Sequence, residues 1–174
     1  MTLDKNIDLK ENRLQAASMY RYTWDCFCEP IQNSMKSITI RMKDDPEFKD
    51  GLISIHINRK DRLIRVTDTG VGFNPDEIGL NKSNWKKYKG PEAGYGLGLT
   101  ALALQSDKIT IQSRKTDGNA HKREATDWYK LTLKNNQWKW GKSKRDWKIN
   151  GDYSTFVEIK SNRQSYQQLW NQID

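Results

Sequence analysis

The sequence predicts an α+β fold, a two-layer α/β sandwich with helices on one face of a mixed, mostly antiparallel sheet. Three observations carry that expectation. A long helical pattern comes first, an alternating hairpin follows it, and several short alternating segments fill the second half. A helix buries one apolar stripe and a sheet one apolar face, so this order favours helices packed over one side of a sheet. The 174 residues are enough for one domain with a real core, and residues 1–174 read as a single domain.

Residues 8–40 read as helix: Leu14, Ala17, Tyr20 or Arg21, Trp24, Phe27 or Cys28, Ile31 and Met35 recur at three- and four-residue steps, the spacing of one helix face. Pro30 interrupts the run. A proline inside a helix costs about 3 kcal/mol, so a kink or a fresh first turn is expected there. Residues 52–68 read as a β-hairpin. Ile53, Ile55 and Ile57 alternate with polar residues, Asn58-Arg59-Lys60-Asp61 makes the turn, and Ile64, Val66 and Asp68 share the inward face of the second strand.

A polar loop or lid follows over about 74–96, with Pro75, Gly79, Gly90 and Pro91. Residues 97–106 predict a short apolar helix opening from glycines. Ile109 and Ile111 mark a strand, and 114–126 a polar loop. Tyr129, Leu131 and Leu133 mark the next strand, Trp138 and Trp140 another, and Tyr153, Thr155, Val157 and Ile159 the last. The polar tail, 162–174, has the makings of a short helix.

The composition is polar for a globular chain, with 35% hydrophobic residues, yet 7 Trp and 7 Tyr argue against disorder. No run approaches the length of a membrane span. The charged N-terminus lacks the apolar stretch of a signal peptide, and the reading is cytoplasmic. Cys26 and Cys28 lie two apart in a helical pattern and face different sides, which speaks for packing rather than a disulfide or metal. His56 and His121 have no partners at ligand spacing. The net charge of +8 and pI near 9.4 favour anionic partners without choosing among them.

Three features carry chemistry. Asp68 points toward the core by strand alternation, and a buried carboxylate needs hydrogen bonds. Gly70 and Gly72 beside it let backbone approach a ligand. An inward carboxylate next to bare backbone suits an adenine amino group; the same residues also fit a strand-ending Asp-Thr-Gly turn. Gly94, Gly96 and Gly98 precede the apolar helix, whose free N–H groups suit phosphate, or they form a lid hinge. Their spacing is neither the dinucleotide fingerprint nor a P-loop, and the protein-kinase motifs are absent. Glu29 and Asn33 share a helix face at i and i+4. A carboxylate there can activate a water, and an amide oxygen can ligate Mg²⁺; a solvated polar face is the alternative.

Together, Glu29-Pro30-Ile31-Gln32-Asn33-Ser34, Asp68-Thr69-Gly70-Val71-Gly72-Phe73 and Gly94-Tyr95-Gly96-Leu97-Gly98-Leu99 resemble, in order and rough spacing, the GHKL ATPases with their Bergerat ATP-binding fold. That superfamily includes gyrase B, heat-shock chaperone ATPases, histidine kinases and MutL. The resemblance covers about 14–160, and Ser154-Thr155-Phe156-Val157 resembles the family's G-T-x-V strand. It implies ATP and Mg²⁺ as cofactors. Glu29 would activate the attacking water, and Asn33 would coordinate Mg²⁺ and touch the phosphates. Asp68 would accept from the adenine amino group, with Thr155 in support. Gly70 and Gly72 would make room for the base, Phe73 would line the pocket, and Gly94, Tyr95, Gly96, Leu97, Gly98 and Leu99 would wrap the phosphates. Lys82, Lys86, Lys87 and Lys89 lie in the lid, within reach of a γ-phosphate or simply solvated.

The pattern also departs from the family. Gln32 stands where Asp is common. Lys36 stands where the hydrolases carry Asp, and gives a histidine-kinase-like N-x-x-K. Ser154 replaces the last motif's glycine. No phosphoacceptor helix is visible, and the strand-rich second half is closer to the gyrase, chaperone and MutL side. The resemblance therefore implies Mg-dependent ATP binding and slow hydrolysis that drives lid closure. Association with itself as a homodimer, or with an effector subunit or domain, would follow. The alternatives are a non-hydrolysing ATP sensor, a histidine-kinase catalytic domain, or a nucleic-acid-binding module. The last draws on residues 134–148, where Lys134, Lys139, Lys142, Lys144, Arg145 and Lys148 interleave with Trp138, Trp140 and Trp147. An exposed hairpin with its aromatic faces packed on the sheet fits the same stretch.

Overall fold

The computed structural model describes residues 27–73, 102, 106–115, 128–134, 137–144, 153–161 and 167–172. Helix α1 spans Cys28–Asp44. Strands β1 (Ile53–Asn58), β2 (Leu63–Asp68), β3 (Lys108–Ser113), β4 (Trp128–Lys134), β5 (Gln137–Ser143) and β6 (Thr155–Lys160) follow, and a short helix α2 (Gln167–Gln172) ends the chain's described part. The fold is α+β. The six strands form one sheet in the order β1-β2-β6-β3-β4-β5. Every pairing among the described strands is antiparallel, so the expected mixture of directions is corrected to an antiparallel sheet.

Pro30 lies in the first turn of α1, where no intrahelical partner is needed for its missing N–H. The helix runs four residues past the expected end at 40, with Arg41 and Lys43 in the last turn and Glu29 in the first. Both placements suit the helix dipole. Cys28 is exposed and free, so the expected packing role does not hold for it; Cys26 lies outside the described residues.

The register of the sheet lines up three rows on the face that α1 covers. Ile64, Ile159 and Ile109 stand side by side, and so do Val66, Val157, Ile111 and Leu131. All seven are buried and join Leu102 and Trp170 in one cluster. Leu102 is the described part of the helix expected over 97–106, and it is fully buried. Trp170 brings α2 onto the same core. Alternation predicts a polar outer face, yet Phe156 and Gln112 are fully buried on the opposite side of the central strands. Both faces of the central strands thus carry buried side chains. β1 is an edge strand, and its Ile55 and Ile57 remain exposed although they share the inward face with Val66 and Ile64. No helix among the described residues is long and apolar enough to cross a membrane.

The β1–β2 connection covers residues 59–62, four residues as the sequence suggests but one position later. Asn58 caps it by accepting from the Asp61 N–H at 3.0 Å and donating to the Asp61 carboxylate at 2.8 Å. Arg62 closes the turn with φ 50°.

Candidate functional site

A third row crosses the sheet beside the two apolar ones. It runs Ile53, Asp68, Thr155, Ser113, Tyr129 and Lys142, in direct opposition from strand to strand. Here the covered face changes from hydrocarbon to carboxylate and hydroxyl. The change falls at the C-terminal ends of β2 and β3 and the start of β6, under α1.

Asp68 is 2% exposed. Its Oδ2 accepts from Ser34 Oγ of α1 at 2.9 Å. Its Oδ1 accepts from the Gly70 N–H at 2.9 Å and from Ser154 Oγ at 3.3 Å. Among the described residues two donors fill Oδ1, while Oδ2 keeps acceptor capacity beyond its one bond. Burial nevertheless dominates and raises the Asp68 pKa to about 6, against the opposing pull of the Gly70, Ser34 and Ser154 hydrogen bonds. At neutral pH the carboxylate is ionised, and it carries a cost of desolvation.

That cost makes a pH prediction. The folded pKa lies above the unfolded one, so folding takes up a proton between about pH 4 and 6. The Asp68 contribution is most favourable below that window, declines as pH rises through it, and is constant above it. Asp68→Asn removes the titration. Relative to wild type, the Asn variant is expected to gain about 2 kcal/mol more at pH 7.5 than at pH 4.5 in urea unfolding. A difference between the two proteins that does not change with pH contradicts this account of the carboxylate.

A second hydroxyl network stands next to Asp68. Ser113 Oγ lies 3.1 Å from Thr155 Oγ1 and accepts from the Phe73 N–H at 2.9 Å. The Ser154 N–H donates to the Asp68 carbonyl at 2.8 Å. Thr155 is thus the cross-strand neighbour of Asp68, but its hydroxyl bonds Ser113. The direct hydroxyl partners of the carboxylate are Ser34 and Ser154. Sequence reasoning gave neither of them that role. Ser34 had a signal, since it continues the buried stripe of Pro30, Ser34, Ile38 and Arg41 on α1.

The two glycines are required by the chain itself. A Cβ on Gly70 would sit 2.6 Å from the Ser37 carbonyl carbon, between β2 and α1. Gly72 has φ +65°, and a Cβ there would overlap the Arg114 carbonyl oxygen. Gly72→Ala is expected to cost about 2–4 kcal/mol from left-handed strain plus overpacking, read as a lower midpoint in thermal unfolding. A loss under about 1 kcal/mol would mean the segment moves freely. Room for a base next to these glycines is not part of their described packing. Phe73 is half-buried and packs against the core cluster.

Ser34 faces Asp68, and one helical residue turns the direction by about 100°. Asn33 therefore lies on the neighbouring shoulder of α1, in line with Glu29 and Ser37 at four-residue steps. Ser37 fixes where that shoulder points, because its carbonyl accepts from the Val71 N–H at 3.3 Å. Asn33 is exposed and Glu29 half-buried. Buried Arg41 locks the same junction. Its Nη1 donates to the Thr69 carbonyl, its Nε lies 4.0 Å from the Asp45 carboxylate, and its guanidinium stacks 3.9 Å over Phe48.

Gly94, Tyr95, Gly96, Leu97, Gly98 and Leu99, the lid over 74–96 and its lysines, and His121 lie outside the described residues, as do Arg145, Trp147 and Lys148. On β5, Trp140 packs against the core, and Lys139 and Lys142 are exposed, as is Lys144 just past the strand. Trp140 thus follows the packing alternative rather than offering an open stacking face. No protein-family model matches the chain, and no curated protein does.

Proposed function

We propose that this chain binds ATP in a Bergerat-type pocket, a two-layer sandwich with α1 over the sheet, and hydrolyses it slowly with Mg²⁺. The observation that carries the reading is Asp68. An ionised carboxylate is held almost fully buried at the end of β2, tied to α1 through Ser34, with acceptor capacity left on Oδ2. An adenine amino group supplies the complementary donor. Glu29 and Asn33 stand on the adjoining shoulder of the same helix, which gives the base, the metal ligand and the water-activating carboxylate one rigid support.

Asn33 would offer a single amide oxygen to Mg²⁺, which takes its other ligands from triphosphate oxygens and water. Among the described residues no cluster of three or more His, Cys, Asp or Glu is able to hold a metal, and a one-amide ligand set does not require one. Mg²⁺ would neutralise charge on the phosphates. Glu29 would take a proton from the attacking water. Gly94 to Leu99 would wrap the phosphates, and closure of the lid would favour association with a second copy or an effector.

The test is binding of a non-hydrolysable ATP analogue by calorimetry. Wild type is expected to bind and Asp68→Asn to lose at least about tenfold in affinity, the worth of a hydrogen bond to a charged group. Equal binding by both proteins removes the adenine role from Asp68.

A further inference from the structure

The other end of the sheet carries a separate feature. An open cleft of about 530 Å³ is lined by Arg59, Lys60, Arg62, Gln167, Trp170 and Asn171. It lies at the β1–β2 turn, a full strand length from Asp68, roughly 20 Å away. We propose that this cleft binds the phosphodiester backbone of a nucleic acid.

Three cations fall within four residues of the turn. Lys60 and Arg62 form no ion pair among the described residues. Among the described residues no acidic side chain lines the cleft, and Asp61, the acid within the turn, is held by Asn58. Arg62 is half-buried, and it is the one non-glycine residue with positive φ among those described. An arginine is an unfavourable choice for that backbone, where Asn or Gly is at ease. The turn keeps the charge in spite of the strain.

The floor is fixed. Trp170 is 2% exposed and donates from Nε1 to the Ser161 carbonyl at 3.1 Å, and the Ser161 N–H donates to the Arg62 carbonyl at 3.2 Å. Gln167 and Asn171, at i and i+4 on α2, add amide donors of the kind that bind phosphate oxygens. An open cleft leaves a small anion well solvated, whereas adjacent cations suit a ligand with repeated charges. Among the described residues the cleft wall offers no exposed apolar side chain to enter a bilayer, as a membrane-binding surface would.

The test is fluorescence anisotropy of a labelled DNA duplex over a range of salt, with the full chain. The combined variant Arg59→Gln, Lys60→Gln, Arg62→Gly removes three charges and leaves a residue suited to the turn. It is expected to bind about tenfold or more weakly, with a log–log salt slope shallower by roughly two to three. Arg62→Gly alone, which relieves the strained turn and so should remain folded, is expected to lower the slope by about one. Asp68→Asn is expected to bind DNA as wild type does, so failure of the ATP reading leaves this result intact. Unchanged affinity and slope in both turn variants overturn the proposal. So does loss of binding on neutralising Lys139, Lys142 and Lys144 while the turn variants bind normally. Tighter binding to phosphatidylserine vesicles than to DNA, abolished by the same turn variants, also overturns it in favour of a membrane.

Discussion

Arg41→Ala is expected to destabilise the protein by about 3–5 kcal/mol, a large share of a domain's usual 5–15. Arg41 is the largest fully buried side chain among the described residues. Truncation leaves Asp45, itself 4% exposed, without its nearby cation, and takes the donor from the Thr69 carbonyl. It also opens a cavity beside Phe48. Arg41→Lys is expected to recover only part of the loss, because one ammonium cannot span the carbonyl, the carboxylate and the ring together. Urea unfolding with a common slope measures both variants. A cost below about 1 kcal/mol for the alanine would show that the junction between α1 and Gly70-Val71 is held by other contacts.

Glu29→Ala is expected to slow phosphate release by about 10²–10⁴-fold, the usual worth of a positioned proton acceptor. Affinity for the ATP analogue should stay within about threefold, because in the proposed mechanism the carboxylate would act on water rather than on the nucleotide. Glu29 also sits in the first turn of α1, where a negative charge adds about 0.3–1 kcal/mol to the helix. Glu29→Gln keeps the shape and removes the proton-accepting charge, and it should be as inactive as the alanine. Phosphate release at the wild-type rate by either variant takes the catalytic role away from Glu29. Wild type that binds the analogue and never releases phosphate is a sensor, one of the alternatives the sequence leaves open.

The strands and the inward direction of Asp68 were legible because alternation depends only on local sequence. Ile64, Val66 and Asp68 share a face whatever the sheet does with them. The order of strands was not legible, since β6 inserts between β2 and β3 from far along the chain. That insertion also sets which β6 hydroxyl meets the carboxylate. Thr155 stands opposite Asp68 in register, yet the residue that reaches the carboxylate is Ser154, one position earlier, where the chain enters the strand and folds back on the Asp68 carbonyl. Arg41 was invisible for a different reason. A lone arginine in a basic chain looks like solvated surface, and only the tertiary meeting of α1 with Thr69 and Phe48 buries it. The exposure of Ile55 and Ile57 has the same origin, because the pattern marks a face and not whether an edge strand is covered. For Gly70 and Gly72 the sequence pointed to bare backbone, and their need is met first by Ser37 and Arg114.

The central claim is that Asp68 reads the amino group of adenine. Its most direct test is the ratio of affinities for analogues of ATP and inosine triphosphate, whose base carries a carbonyl oxygen in place of that amino group. Wild type is predicted to prefer the adenine form by about 10- to 100-fold, because the carboxylate would otherwise face another acceptor. Asp68→Asn, which offers both a donor and an acceptor, is predicted to bring the ratio near one. Equal affinity of wild type for the two nucleotides, or no binding of either, would contradict the account.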